Sequence, residues 1–181
     1  MKYFEDIKKY KKYIKRNSLF VVLVNQGLWV LFFYRFFNKI YTSKIPFLIK
    51  KSILIFYFPI QKTMECITGI SIPYSTAIGK GFYIGHFGNI IIHPHAVIGD
   101  NCNISQGVTI GLSGRGDKRG VPKIGDNVYI GANSVIVGDI KVTDNVVIGA
   151  CSLVVQDVKE EGTILGVPAI KINSNTSENY I

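Results

Sequence analysis

Three histidines, His86, His93 and His95, are the side chains of this sequence best suited to acid–base chemistry. An imidazole titrates near neutral pH, so it can take the proton from a hydroxyl group that would otherwise hold it. The spacing of the three suggests no cluster of metal ligands, and we expect no metal site. His93 and His95 flank Pro94 at a predicted corner, where a solvated or turn-bonded histidine is the ordinary explanation. The residues alone do not rank the three as bases.

Composition and cysteine content describe a folded chain with reduced thiols. The 181 residues are 48% hydrophobic and 18% charged, with a mean hydropathy of +0.25, which excludes intrinsic disorder. Cys66, Cys102 and Cys151 do not make a disulfide scaffold or a spaced zinc site in a chain of this length. We therefore expect free thiols and a cytoplasmic location.

The net charge of +9 belongs to the first third of the chain. Residues 1–66 carry 13 Lys and Arg against 3 Asp and Glu, whereas residues 67–181 carry 8 against 9. The second part is therefore nearly neutral, and it has no nucleic-acid-binding motif. We expect no nucleic-acid partner.

From residue 72 the sequence repeats every six residues. This period fits neither a helix nor an ordinary strand; it is typical of short strands joined by tight turns around a three-sided coil, the hexapeptide β-helix. Three hexads complete one coil, so residues 18 apart are expected to stack, and Cys102 is predicted to face inward as a small hydrophobe. Apolar residues occupy two series of six-residue steps: Ile72, Ile78, Ile84, Ile90, Ala96, Cys102 and Val108, then Ile124, Ile130, Ile136, Val142, Ile148 and Val154.

The segment GLSGRGDKRGVPK, residues 111–123, interrupts the repeat. A solenoid accommodates such an insertion as a loop that leaves one corner, and loops of this kind often carry function. Its basic residues Arg115, Lys118 and Arg119 are candidates to bind the phosphates of a ligand or an anionic acceptor. A merely solvated loop is the alternative.

The N-terminal region, residues 1–66, is predicted to be helical. An apolar run over residues 19–37 contains Asn25-Gln26-Gly27, and a second run over residues 45–60 is divided by Lys50-Lys51. Three interpretations stay open: helices packed on the rest of the chain or on a partner subunit, an in-plane contact with an anionic membrane, or a membrane-spanning helix. One face of a helix over residues 1–16 would carry four apolar side chains, Tyr3, Ile7, Tyr10 and Ile14.

The repeat resembles the hexapeptide acyltransferase superfamily and, within it, the serine acetyltransferase branch. The resemblance covers about residues 66–172 and implies a left-handed parallel β-helix over residues 67–172, a homotrimer or a dimer of trimers, and acetyl-CoA as co-substrate. Residues 173–181 lack the hexad pattern and are expected to form a frayed polar tail. The resemblance rests on four motifs: IGKGFYIGHFGNIII (78–92), SQGVTIG (105–111), VPKIGDNVYIGANSVIVG (121–138) and GVPAIKI (166–172).

The activity that the resemblance implies is direct acetyl transfer from acetyl-CoA to a hydroxyl group. The family's catalytic histidine lies two residues after the apolar residue of a hexad, and His86 follows Ile84 at that spacing. Backbone N–H groups at the coil corners are candidates to stabilise the tetrahedral oxyanion. The family binds the pantetheine arm along stacked corners, although such Gly-Ala pairs also simply make tight corners. The residues predicted to bind the cofactor are Gly131, Ala132, Asn133, Gly149, Ala150, Gln156 and Lys171.

The sequence departs from the family pattern where serine would bind. The family's aspartate before the catalytic histidine is Gly85 here, a second aspartate is Ser71, and the Arg-His pair that binds the serine carboxylate is Gly120-Val121. We therefore predict an acetyl-CoA-dependent O-acetyltransferase that acts on a sugar hydroxyl in surface-polysaccharide biosynthesis. The alternatives are a serine O-acetyltransferase of cysteine biosynthesis and a catalytically decayed trimeric scaffold.

Overall fold

The computed structural model describes residues 2–116 and 119–181, in which helices precede a coil of short strands. The helices are α1 (Lys2–Ile14), α2 (Ser18–Val24), α3 (Gln26–Thr42), α4 (Phe47–Ile55) and α5 (Tyr57–Thr68), and a short 3₁₀ helix spans Ser177–Tyr180. The strands are β1 (Ile70–Ser71), β2 (Ala77–Ile78), β3 (Tyr83–Ile84), β4 (Ile90–Ile92), β5 (Val97–Ile98), β6 (Asn103–Ile104), β7 (Thr109–Gly111), β8 (Lys123–Ile124), β9 (Tyr129–Ile130), β10 (Val135–Val137), β11 (Lys141–Val142), β12 (Val146–Ile148), β13 (Leu153–Val154), β14 (Gly162–Gly166) and β15 (Ala169–Asn173).

The strands form three sheets, which are the three faces of a β-helix. Face 1 contains β1, β4, β7, β10 and β13; face 2 contains β2, β5, β8 and β11; face 3 contains β3, β6, β9, β12 and β14. All these pairings are parallel, and β15 adds to face 3 as an antiparallel strand beside β14. The chain visits faces 1, 2 and 3 in turn, so the predicted hexapeptide β-helix preceded by helices is confirmed.

The predicted six-residue step fails at one corner. Ile84 pairs with Ile104, and Ile92 pairs with Ile110, so eight residues separate the paired positions around His86 where six separate them in the next coil. Residues two apart on a strand point to the same side. The predicted positions Ile90, Ala96, Cys102 and Val108 are therefore still buried, although the residues in register with Ile84 lie two positions later. The two additional residues lie in the corner that contains His86.

Cys102 lies in the core as predicted. Its side chain is fully buried, and burial raises the pKa of its thiol to about 12. A thiol with such a pKa is protonated at neutral pH and is a poor nucleophile. Cys102 is therefore a packing residue.

A buried ion pair joins the N-terminal helices to the β-helix. Arg35 of α3 donates two hydrogen bonds, of 2.9 and 3.1 Å, to the carboxylate of Asp6 in α1. Asp6 also accepts a 2.9 Å bond from the backbone N–H of Phe82, and Arg35 donates a 2.8 Å bond to the carbonyl of Ile78. Buried charges are tolerated when they are paired and hydrogen-bonded, as here. The interpretation that these helices pack on the rest of the chain is therefore confirmed for α1 and α3.

The apolar run over residues 19–37 is broken at Asn25, and the helices α2 and α3 on either side are bent by 96°. Within residues 2–116 and 119–181, no single helix is long and apolar enough to cross a bilayer. The bent pair passes the same test of length and composition when its two helices are taken together.

The prediction of a frayed tail after residue 172 is wrong. The 3₁₀ helix packs on face 3: Ser177 is buried and donates to the carbonyl of Asn127, and Asn103 donates a 2.6 Å hydrogen bond to the carbonyl of Tyr180. The rings of Tyr180 and Tyr129 lie 4.6 Å apart. Polar residues therefore attach this segment through specific hydrogen bonds rather than through a hydrophobic pattern.

Candidate functional site

The candidate residues fall mainly on two of the three edges at which the faces of the β-helix meet. We call the passage from face 3 to face 1 the His86 edge, because His86 lies there between β3 and β4. We call the passage from face 1 to face 2 the loop edge, because residues 112–116 and 119–122 lie there between β7 and β8. The two edges lie at opposite ends of the strands of face 1.

The His86 edge stacks one corner from each coil. The isoleucines that precede these corners pair in register, Ile84 with Ile104, Ile104 with Ile130 and Ile130 with Ile148. Hydrogen bonds join the corners directly, since the N–H of Gly107 donates to the carbonyl of Gly88 at 2.9 Å. Two residues after each paired isoleucine, the stack presents His86, Gln106, Ala132 and Ala150.

His86 is exposed in the corner that follows β3, and a hydrogen-bonded phenol holds that strand in place. The buried phenol of Tyr10, in α1, accepts a 3.0 Å hydrogen bond from the N–H of Ile84 and donates a 3.1 Å bond to its carbonyl. In the described part of the chain, the His86 ring has no hydrogen-bond partner, and Phe87 beside it is 53% exposed. The backbone before His86 is thus held in place while its imidazole is open to an incoming hydroxyl group.

The two Gly-Ala pairs stack as predicted. The N–H of Gly131 donates a 2.8 Å hydrogen bond to Ile148, and the N–H of Cys151 donates a 2.8 Å bond to the carbonyl of Ala132. A Cβ atom on Gly131 would lie 2.6 Å from the backbone nitrogen of Ala150, so this close approach requires glycine. The geometry offers a narrow, small-residue surface, and its use by a cofactor stays a prediction.

The other predicted cofactor residues do not all share this surface. Asn133 lies at the same corner as Ala132 and has a φ of 58°. Its N–H donates a 2.9 Å hydrogen bond to the carbonyl of Gln106. Gln156 follows β13 and is exposed on the loop edge, so the structure separates it from the Gly-Ala pairs. Lys171 lies on β15, and its ammonium group is 2.7 Å from a carboxylate oxygen of Glu160. The structure thus groups Asn133 with the stacked corners and places Gln156 and Lys171 elsewhere.

The loop edge carries the remaining histidines and the basic loop. His93 and His95 lie between β4 and β5, where the His93 ring nitrogen Nδ1 accepts a 3.2 Å bond from the N–H of His95. Partial burial and the neighbouring His95 lower the pKa of His93. Arg115 and Arg119 are exposed in a loop closed by two hydrogen bonds between Ser113 and Gly120, of 3.1 and 3.0 Å. The predicted Lys118 lies outside the described residues.

Glu65, a carboxylate near the first coil, was not predicted from the sequence. Ser71 donates a 2.6 Å hydrogen bond to Glu65, and Lys62 lies 2.6 Å from its other oxygen. Partial burial opposes ionisation of Glu65, but the bonds from Lys62, Ser71 and Gln61 outweigh it and hold the pKa below its usual value. A carboxylate therefore lies against position 71, where the family has an aspartate. Glu65 is the only acidic residue between positions 6 and 100, which is a signal that sequence reasoning could have used.

The first coil at Ser71 adjoins the His86 corner. The N–H of Ile90, which follows that corner, donates a 2.9 Å hydrogen bond to the carbonyl of Gly69, and Ser71 pairs with Ile91. Among residues 2–116 and 119–181, no group of three or more His, Cys, Asp or Glu side chains is placed to hold a metal ion. The site therefore combines an exposed imidazole, a stack of small-residue corners and a neighbouring coil that carries a carboxylate.

Comparison with known proteins identifies the same architecture. The family described as "Bacterial transferase hexapeptide (six repeats)" matches residues 122–156. A serine acetyltransferase of Synechocystis sp. is 39% identical over 155 residues, which are 84% of this chain and 58% of that protein. A serine acetyltransferase of Staphylococcus aureus is 35% identical over 153 residues, which are 84% of this chain and 68% of that protein.

The likeness extends to three dimensions and includes the helices. The crystal structure of serine acetyltransferase from Brucella abortus superimposes with a TM-score of 0.82 at 28% identity, covering 97% of this chain and 69% of that chain. This chain spans 58% of the length of the Synechocystis relative and 69% of the Brucella abortus chain, so it corresponds to only part of each protein. On sequence and structure together, the chain belongs to the serine acetyltransferase family of hexapeptide-repeat transferases.

Proposed function

We propose that the chain is an acetyl-CoA-dependent O-acetyltransferase with His86 as its general base and L-serine as its acceptor. The observation that carries the proposal is the position of an exposed histidine on the same edge as the stacked Gly-Ala corners. The relatives support the choice of ligands. The Brucella abortus enzyme was crystallised with coenzyme A, and a serine acetyltransferase of Neisseria gonorrhoeae was crystallised with serine.

The proposed reaction needs one base and a site for an oxyanion. His86 takes the hydroxyl proton as the acceptor oxygen attacks the thioester carbonyl, which forms a C–O bond and a tetrahedral oxyanion. Backbone N–H groups at the coil corners are the candidates to stabilise that charge. The C–S bond then breaks, the sulfur leaves with the proton held by the imidazolium, and the products are the O-acetyl ester and free CoA.

A sugar hydroxyl is the second candidate acceptor, and the departures from the family pattern at Gly85 and at Gly120-Val121 favour it. Gly85 gives the imidazole no neighbouring carboxylate, and Gly120-Val121 offers no side chain to bind an amino-acid carboxylate. Packing does not demand Gly85: a Cβ atom there would make ordinary contacts, 3.5 Å from the Tyr83 ring and 3.7 Å from the carbonyl of Ile104. The carboxylate of Glu65 contacts the first coil at Ser71. The surface-polysaccharide role of such an acceptor stays a prediction.

We include in the proposal the homotrimer, or dimer of trimers, that the family resemblance implies. Within one chain, Arg115 and Arg119 lie on the loop edge, at the far end of face 1 from His86. A neighbouring subunit whose loop edge faces the His86 edge would bring the basic loop to the imidazole. The proposal therefore places each site between two subunits.

The test is release of free thiol from acetyl-CoA with L-serine, beside a panel of sugars and nucleotide-sugars, for the parent chain and Gly85→Asp. We expect turnover with serine and a higher kcat/KM for serine in Gly85→Asp, by about tenfold, because the new carboxylate would orient the imidazole. Turnover with a sugar and none with serine would select the second candidate. The matched control is Gly111→Ala at the end of β7 on face 1, whose Cβ atom would meet only side chains, at 3.4 Å or more.

Binding of coenzyme A distinguishes the two acetyltransferase proposals from the alternative of a catalytically decayed scaffold. Coenzyme A at about 100 times its Kd stabilises a folded protein by about 2.7 kcal/mol, which thermal unfolding detects. No stabilisation at millimolar CoA, together with no turnover of any acceptor, would contradict both acetyltransferase proposals. Stabilisation by CoA without turnover of serine or any sugar in the panel would contradict the choice of acceptor alone.

A further inference from the structure

We propose that helices α4 and α5 form a surface that binds an anionic lipid bilayer in the plane of the membrane. The apolar part of this α4–α5 surface is unusually exposed: Phe47 is 72% exposed, Leu48 76%, Ile55 65%, Phe56 67% and Phe58 66%. Exposed apolar residues scattered singly are ordinary, but a contiguous set indicates an interaction site. These five side chains belong to one segment of twelve residues, 47–58.

Helix α4 has the composition of a buried helix and the surroundings of an exposed one. Its sequence is FLIKKSILI, and none of its nine residues is buried. A helix that is apolar on most sides requires an apolar environment, which nothing in the described chain supplies. Nine residues extend about 14 Å, whereas the hydrocarbon core of a bilayer is about 30 Å thick. The helix is therefore suited to lie in the interface rather than to cross it.

The apolar surface continues into a groove on the neighbouring helices. Phe32 and Phe36 of α3 are 49% and 54% exposed, and with Tyr3, Ile40 and Ile45 they line an open groove of about 410 Å³. Ile45 lies two residues before α4, so the groove and the α4–α5 surface are continuous along the chain. Lys39 lies at the side of this groove. An aromatic surface edged by lysine is typical of contact with lipid headgroups.

The charge of this region selects an anionic partner. Residues 7–64 contain twelve Lys and Arg and no Asp or Glu. Lys44 and Lys51 are exposed, and Lys62 lies 6.0 Å from the centre of the Phe58 ring, so the cations are interleaved with the apolar side chains. Basic residues beside an apolar face attract the negative headgroups of a bilayer, and the attraction is weakened by salt.

The same charge argues against a symmetric dimer that pairs this surface with its own copy. In a symmetric dimer each surface meets its own copy, so cations would face cations. Because residues 7–64 offer no acidic side chain, neither copy could neutralise the other. A bilayer with anionic lipids supplies both the apolar environment and the counter-charge.

The test is co-sedimentation of the whole chain with vesicles of phosphatidylcholine, alone or mixed with phosphatidylglycerol. We expect binding to the mixed vesicles that decreases with salt, and at least about tenfold weaker binding for Lys44→Glu/Lys51→Glu, since each cation near the surface contributes to the attraction. The matched control is Lys123→Glu/Lys141→Glu, which makes the same charge change at two exposed, paired positions of face 2. This control is expected to bind as the parent chain does.

A second variant tests the apolar part separately. Phe47→Ser/Leu48→Ser removes two exposed side chains and keeps every charge, so we expect weaker vesicle binding with unchanged thermal stability. No binding to the mixed vesicles, or equal binding by the parent chain and Lys44→Glu/Lys51→Glu, would overturn the proposal. A higher oligomer of the parent chain that Phe47→Ser/Leu48→Ser dissociates would overturn it in favour of a second copy. None of these measurements depends on acetyl transfer.

Discussion

The His86 edge and the loop edge belong to one β-helix, yet the first exposes mainly backbone and the second mainly side chains. On the His86 edge the corners bond directly to one another, as the 2.8 Å bond from the N–H of Cys151 to the carbonyl of Ala132 shows, and small residues leave the backbone accessible. On the loop edge an insertion after β7 carries exposed basic side chains away from the coil. One edge is defined by backbone, the other by side chains.

The repeat determines the backbone geometry of the His86 edge, whereas it leaves the sequence of the loop edge free to vary. Backbone positions on the His86 edge are repeated from coil to coil, so a chemistry that uses N–H groups and close approach is fixed by the fold. A loop can change sequence without disturbing the coils, so the loop edge is suited to determine which acceptor is used. The comparison therefore predicts that substitutions on the two edges change different kinetic constants.

The largest expected effect is that of His86→Ala. Loss of a general base lowers kcat by about 10²- to 10⁴-fold, and the exposed position of His86 gives no reason for the chain to unfold. His93→Ala and His95→Ala, on the loop edge, are expected to leave kcat unchanged. The measurement is steady-state thiol release, with thermal unfolding as the check on folding. Activity of His86→Ala within about tenfold of the parent would contradict the assignment of the base.

A smaller effect, confined to cofactor binding, is expected at Ala150. Ala150 is exposed on the His86 edge, so Ala150→Phe fills the small-residue surface without entering the core. We expect the KM for acetyl-CoA to rise about tenfold while kcat changes little, because the substitution removes binding common to the ground and transition states. Gln156→Ala, on the loop edge, is the comparison variant and is expected to leave this KM unchanged.

The outcome at Gln156 sharpens the contrast between the edges. A KM that rises for both variants would show that the loop edge of a neighbouring subunit also contacts the cofactor. A KM that rises for Gln156→Ala and not for Ala150→Phe would contradict the placement of the cofactor on the stacked Gly-Ala corners.

The period of six predicted the β-helix because burial repeats with the geometry of the coil, and it could not reveal the longer corner at His86. Ile90 and Val108 are apolar and buried although they lie two residues before the paired positions Ile92 and Ile110. The six-residue step therefore continues to meet apolar residues past the two additional residues of the His86 corner. The register becomes visible only when neighbouring strands pair. Only the structure therefore shows that His86 lies in the corner where the coil is two residues longer.

Features that depend on single hydrogen bonds were not predictable from a pattern. Ser177 and Asn103 fix the C-terminal 3₁₀ helix through polar contacts, and the sequence there reads only as polar. Glu65 reaches Ser71 from the last turns of α5, a contact that no hexad spacing describes. The stacked Gly-Ala corners were predictable, because their spacing of 18 residues is that of one coil. The cytoplasmic location stays a prediction.

The smallest expected effect concerns the two phenols that brace the edges from α1 and α3. Tyr10 bonds to Ile84, two residues before His86, whereas Tyr34 donates a 2.7 Å bond to the carbonyl of Thr76 on the loop edge and accepts one of 3.2 Å from Ile78. Burial raises the pKa of Tyr34 to about 12, and burial raises that of Tyr10 well above its usual value.

Because both pKa values are raised in the folded state, the stability that these phenols contribute is complete below pH 10 and is lost as the pH rises toward 12. We expect the free energy of unfolding, measured with denaturant, to be lower at pH 11 than at pH 9 by about 1 kcal/mol for each tyrosine. Tyr10→Phe and Tyr34→Phe should each reduce this pH dependence. Only Tyr10→Phe should also lower kcat at neutral pH, since Tyr10 holds the strand before His86. Equal effects of the two variants on kcat would show that the edges are not independent.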